Sequence, residues 1–218
     1  RIRGDVKFSG TATLVLFDSD GFEDRQMDLV LSSSTGDEDA IAQQRVSVAD
    51  MIADLTLAAG NLVETQGYFE PNRFGGARYL IQPAGTGTPD GYLYIQLGNG
   101  LQAELLDLEN NRNFLVAGAR GDGGTDDEQA MQAVIDSDPG EVYVPNGFEF
   151  VANNLTIPHN IAFVGGGSMI QRTGSAGDFL QITSVAVTDV YFRGVTLDCN
   201  QPNTTNTNAT VGWRIAAA

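Results

Sequence analysis

Residues 118–137 read GARGDGGTDDEQAMQAVIDS, and residues 140–147 follow as GEVYVPNG. The glycine-rich front is a loop, and Thr125 stands three residues before Glu128, the spacing of a capping box. A helix is therefore expected over 126–136, with Thr125 as its N-cap. Asp126 and Asp127 then fall in the first turn, where the helix dipole favours negative charge. Ala130, Met131, Val134 and Ile135 share one face, and Pro139-Gly140 is the expected stop.

Beyond that helix the pattern changes to short strands. They are expected at Glu141–Val144, Phe148–Val151, Leu155–Ile157, Ile161–Val164, Phe179–Ile182, Val190–Phe192 and Val195–Leu197. The strands repeat. Ile161, Phe163 and Gly165 in IAFVG match Val190, Phe192 and Gly194 in VYFRG, 29 positions later, and Phe179-Leu180 is answered by Trp213-Arg214-Ile215. Such a period, filled with strands and free of helices, is that of a β-coil solenoid. One coil cannot bury its own inward side chains, so Ile161, Phe163, Ile182, Phe192 and Leu197 are expected to stack on neighbouring coils. The first coil leaves an apolar end, and the helix at 126–136 is expected to plug it.

Working back towards the N-terminus, Ser47 is positioned to cap Asp50. Val48, Met51, Ile52 and Leu55 follow as a helical stripe that Gly60 would end. Leu62–Thr65, Ala77–Ile81 and Tyr92–Leu97 read as strands of a small antiparallel sheet. Further back, Thr11–Phe17 and Met27–Leu31 are β-rich runs joined by the loop DSDGFED at 18–24, the signature of a long hairpin turn. That loop lacks the spacing and the closing glutamate of an EF-hand, so it reads as a solvated turn rather than a calcium site. The whole is mainly β, in three parts: 1–36, a β segment; 37–113, an α+β module; and 114–218, the first coils of the solenoid behind helix 126–136.

Composition narrows the chemistry. The 218 residues carry a formal net charge of −16, with Lys7 the only lysine. A field of that sign repels nucleic-acid backbones and anionic membranes, so neither is an expected partner. With one cysteine, Cys199, and one histidine, His159, there is no intrachain disulfide and no Cys/His zinc site. His159, in Pro158-His159-Asn160, reads as a surface turn residue, and Cys199 as a small, partly buried side chain. No stretch is apolar enough to span a membrane and no signal peptide is evident. The chain starts at Arg1 rather than methionine and stops just past a strand, so it reads as a piece of something longer.

The run at 118–137 with GEVYVPNG resembles the opening of the pectate-lyase-like β-helix superfamily, although Asn146 stands where that family often has proline or glycine. FRGVTLDCN, residues 192–200, resembles one of its coils. Upstream, AGNLVETQGYFEPNRFGGARYLI at 59–81 and LGNGLQAELL at 97–106 are similar to the module that precedes the β-helix in phage tailspikes. The resemblance covers roughly residues 47–200. It implies a right-handed parallel β-helix and a homotrimer in the virion tail. Within that, 1–36 would be a tail-proximal anchoring segment and 37–113 a neck. It further implies attachment to tail or baseplate proteins, and a host surface polysaccharide bound or depolymerised further along the β-helix. A secreted bacterial polysaccharide lyase or hydrolase and a non-enzymatic β-helix adhesin are the competing readings.

Within this chain no catalytic, cofactor-binding or metal-binding residue is expected. Asp122, Asp126 and Asp127 form an acidic cluster that capping and the helix dipole explain. Asp198, at a strand end, is the acid nearest to a catalytic placement and still reads as a turn residue.

Overall fold

The computed structural model describes residues 10–17, 23–31, 42–69, 74–172, 178–200 and 213–215, with backbone alone for the first two segments and the last. The chain divides into two compact units, Arg1–Ala40 and Ile41–Ala218. In the first, β1 (Gly10–Phe17) and β2 (Glu23–Leu31) pair antiparallel, Gly10 opposite Leu31. Residues 18–22, most of the acidic loop, lie outside the described residues.

The second unit opens with β3 (Gln43–Arg45), α1 (Val48–Ala53), β4 (Leu62–Thr65), β5 (Arg78–Gln82), β6 (Tyr94–Gln96) and β7 (Gln102–Leu105). They form one five-stranded sheet, ordered β3-β4-β5-β7-β6. The sheet is mixed, not antiparallel as expected. β3 runs parallel to β4 because α1 supplies the crossover that a parallel pair needs. Ser47 Oγ does accept the Asp50 N–H, at 3.1 Å. The helix then stops at Ala53, earlier than Gly60. Asp54 caps its end and takes the Thr56 N–H and hydroxyl on its carboxylate, which leaves Leu55 outside and 68 % exposed.

A 3-10 turn at Leu108–Asn110 leads to β8 (Asp122–Asp126) and α2 (Glu128–Asp136). Three coils follow, each of three strands: β9 (Glu141–Val144), β10 (Glu149–Ala152) and β11 (Leu155–Ile157); β12 (Ile161–Gly165), β13 (Ser168–Gln171) and β14 (Leu180–Ile182); β15 (Val190–Arg193), β16 (Thr196–Asp198) and β17 (Trp213–Ile215). Equivalent strands pair in parallel, giving the sheets β15-β12-β9, β16-β13-β10-β8 and β11-β14-β17. This is a parallel β-helix. The 29-residue match is its register: Ile161 lies opposite Val190 and Phe163 opposite Phe192. Inward side chains form ladders along the coils, Val142–Phe163–Phe192 in the first sheet and Phe150–Met169–Leu197 in the second. Phe163 and Phe192 stack at 5.1 Å with an 11° tilt. Coils approach so closely after the first strand that a Cβ on Gly165 would lie 2.0 Å from the Val144 carbonyl oxygen, and φ there is +140°. Only glycine serves there.

The plug differs from expectation at its start. The N-cap is Asp127, not Thr125, and Asp126 ends β8 opposite Val151 instead of opening the helix. The reason is a stronger use for each group. Asp127 carboxylate oxygens accept the N–H groups of Arg120 (2.7 Å) and Gly121 (3.1 Å), folding the lead-in loop against the coil, while Thr125 donates its hydroxyl to Asp122 at 2.8 Å. Glu128 reaches not back to a cap but across to the Asn153 N–H, at 3.1 Å. The helix ends at Asp136, the expected last residue, with Ser137 donating its hydroxyl to the Val134 carbonyl. Met131, Val134 and Ile135 are fully buried. Phe114, which the sequence pattern did not single out, shares the plugging: it is fully buried, edge-on to Phe150 at 5.2 Å and 6.3 Å from Phe163.

Two pairs of substitutions test this architecture by chemical denaturation. Phe163→Ala, in the centre of the ladder, is expected to cost about 3–5 kcal/mol, whereas Tyr191→Ala, 61 % exposed on a neighbouring coil, should stay within about 0.5 kcal/mol. Equal losses would sink the ladder assignment. Asp127→Ala strands buried N–H donors and is expected to cost about 1–3 kcal/mol or more, with Asp126→Ala, on the exposed side of the same turn, distinctly milder.

Candidate functional site

The acidic corner at the start of the β-helix is where the sequence concentrates chemistry-bearing side chains. Asp122 Oδ1 accepts the N–H groups of Thr125 (2.7 Å) and Gly124 (2.9 Å), and Oδ2 accepts the Thr125 hydroxyl. The Thr125 N–H, then the Gly124 N–H and the hydroxyl, hold its carboxyl down to about 2. Asp127 behaves oppositely: burial pushes its carboxyl up, against the pull of the Arg120, Gly121 and Val151 N–H groups. Asp126 is ion-paired with Arg172 and accepts the Glu128 N–H at 3.2 Å. Each carboxylate therefore has a structural occupation. The one with a raised pKa, which a general acid needs, is only 3 % exposed. Such a group does not reach a glycan.

The remaining sequence candidates lie apart from this corner. Asp198 is exposed at the end of β16 and accepts the Asn200 N–H at 2.7 Å, closing a tight turn. Burial, and then the Asp198 charge, push the partly buried Cys199 thiol up, which works against thiolate chemistry. His159 sits in the turn between β11 and β12 as expected, with more to do than the sequence suggested. Its Nε2 is 2.6 Å from the Ile135 carbonyl oxygen and its Nδ1 is 3.2 Å from Asp138, so it ties the end of α2 to the coil. Its spacing from α2 in sequence carried no signal of that contact.

Two open grooves flank the corner and the neck. The larger, about 670 Å³, is lined by Asp90, Asp126, Glu128, Gln132, Asp136 and Thr156. Four carboxylates and no base among these make it repellent to an anionic glycan. The other, about 640 Å³, is lined by Glu64, Gln66, Arg78, Asp107, Asn110 and Asn111, and Arg78 lies 3.8 Å from Asp107. Among the described residues no three His, Cys, Asp or Glu side chains are grouped so as to hold a metal ion, and no helix is long and apolar enough to cross a membrane.

Residues 111–212 match the family model of rhamnogalacturonase A/epimerase, pectate lyase-like. No curated protein matches the chain by sequence. Among solved structures, the full-length tailspike protein 2 of an Escherichia coli O157:H7 bacteriophage is similar over 86 % of this chain, with 19 % identity and a TM-score of 0.57. Tailspike protein gp49 of Acinetobacter baumannii bacteriophage Fri1, described as a capsular polysaccharide depolymerase, is similar over 72 %, with 19 % identity and a TM-score of 0.53. Pantoea stewartii WceF, described as a glycan biofilm modifying enzyme with a bacteriophage tailspike-like parallel β-helix fold, is similar over 94 %, with 16 % identity and a TM-score of 0.57. The chain spans 27 %, 32 % and 30 % of these three proteins respectively. Its coils and their plug thus have the parallel β-helix fold of these tailspike proteins, and residues 111–212 are similar to the pectate-lyase-like family model.

Proposed function

We propose that this chain is the tail-proximal part of a homotrimeric phage tailspike. Its N-terminal unit anchors to tail or baseplate proteins, and its β-helix leads into a region that binds or degrades a host surface polysaccharide. The observation that supports this most is the order of parts. A five-stranded neck sheet, a plug of Phe114 and α2, and parallel coils follow one another in a fold similar over 86 % of the chain to a full-length tailspike. The occupied carboxylates of the corner support placing the chemistry elsewhere in the spike. The likeness of 94 % of the chain to a glycan biofilm modifying enzyme of Pantoea stewartii favours, as the second reading, a bacterial enzyme acting on extracellular glycan.

Gold-labelled antibody raised against residues 41–218 should decorate the tail ends of purified virions. Label absent from virions, with the protein recovered instead from bacterial culture supernatant, would favour the second reading. The structural role of the acids is tested separately, in the spike that contains this chain. Asp122→Asn, Asp126→Asn and Asp198→Asn should each leave its release of reducing ends from capsule almost unchanged. A fall of roughly 10²-fold in a folded variant, the contribution of a positioned acid or base, would place catalysis here after all.

A further inference from the structure

His159 is the only histidine in the chain, and the oxygens around its ring set a condition on its protons. Nε2 lies 2.6 Å from the Ile135 carbonyl oxygen, in the last turn of α2. Nδ1 lies 3.2 Å from a carboxylate oxygen of Asp138 and 3.3 Å from the Asn160 carbonyl oxygen. Carbonyl and carboxylate oxygens only accept hydrogen bonds, so each ring nitrogen needs a proton to bond its neighbours. A neutral imidazole carries a single N–H. With that proton on Nε2, the Nδ1 lone pair points at two oxygens; with it on Nδ1, the conflict moves to the short contact with Ile135. Only the imidazolium satisfies both sides at once. The side chain is 20 % exposed, which leaves little room for water to replace a lost partner.

The surroundings also favour a cation. The Ile135 carbonyl, which accepts the Asp138 N–H as well, belongs to the negative end of the helix dipole. Among the described residues, the charged groups on the elements packed against this turn are five acids and one base. Glu128 and Asp136 lie on α2, bonded to the Asn153 N–H and the Gln132 amide, and Asp138 stands in the turn that follows. Glu141 opens β9 and pairs with Arg193 of β15, at 3.6 Å. Asp189 lies beside the Asn160 side chain in the next coil, bonded by the Thr188 and Tyr191 hydroxyls.

We propose that His159 is a proton-operated latch on the plug of the β-helix. Protonated, it bonds the end of α2 and the turn after it to the coil together; neutral, it releases one of the two. The place gives the release its effect, because α2 closes the apolar end of the coils and Val134 and Ile135 beside the latch are fully buried. A contact made only by the protonated ring is present at low pH and is lost as pH rises through the imidazole range, about 6.5 for a free side chain. Mild acid therefore tightens the plug and mild base loosens it.

Thermal unfolding followed by circular dichroism tests this at about pH 8 and about pH 5.5, on either side of the imidazole range. The comparison is with His159→Gln, whose amide still donates to the Ile135 carbonyl but carries no charge. The two chains should unfold at nearly the same temperature at about pH 8. At about pH 5.5 the wild type should gain about 2–4 °C on the variant. Asp127, whose carboxyl burial pushes up, is present in both chains and cancels from the difference. A gap that is equal at the two pH values, or that widens as pH rises, overturns the latch. Should His159→Gln fail to fold, Asp138→Asn, at a side chain 72 % exposed, decides in its place. Its Tm deficit against the wild type should be larger at the lower pH, and a deficit independent of pH overturns the proposal.

Discussion

The first coil of a β-solenoid has inward side chains on its open side with nothing to stack on, and everything in the second unit depends on how that apolar end is closed. Phe114 closes it from one side, its ring edge-on to Phe150 of the first coil and tilted against Phe163 of the second. Met131, Val134 and Ile135 close it from the other, carried on a helix of nine residues. A helix that short is marginal by itself; its packing on the coil holds it, as it in turn holds the coil. The two structures are therefore stable only together, and the segment 111–136 is as much a part of the β-helix as the strands are.

Closing the end with a helix requires the chain to reverse direction in very few residues, and that is the task of the aspartates. Asp127 gathers N–H groups from the lead-in loop and from β10, the strand it must meet, so one buried carboxylate fixes loop, helix start and coil relative to one another. Asp122 does the same locally for the turn at 122–125. A pattern of D-G-G-T-D-D looks like a functional acidic cluster because it is dense in charge. Here the density arises because a tight corner exposes several backbone donors at once, and carboxylates are the strongest acceptors available to satisfy them.

Legibility in the sequence followed the same division between local and non-local causes. The coil register was readable because it is a repetition: IAFVG and VYFRG are opposite one another along every residue of their pairing. Strands with apolar alternation, such as Leu62–Thr65 and Glu141–Val144, stood out for the usual reason. β3 and β7 did not, because QQR and QAEL are polar runs made into strands by the neighbours they pair with, and Gln102 is buried only because its amide bonds both the N–H and the carbonyl of Gly87. The capping box at Thr125 was a sound local inference overridden by a distant one. Glu128 found the Asn153 N–H, which no window of sequence around residue 128 contains. Phe114 and His159 were missed in the same way, as each acts on residues more than twenty positions away.

The charges on the outside of the coils are placed unevenly. On the described coils the surface of β8, β10, β13 and β16 carries four acids, and that of β9, β12 and β15 carries Glu141, paired with Arg193, and Asp189 at its edge. Charge on the outside of a solenoid contributes little to the stability of the coil, since exposed pairs are worth only about 0–1 kcal/mol. It is therefore free to vary with what each face meets. An acidic strip facing water keeps the particle soluble and discourages edge and face association there.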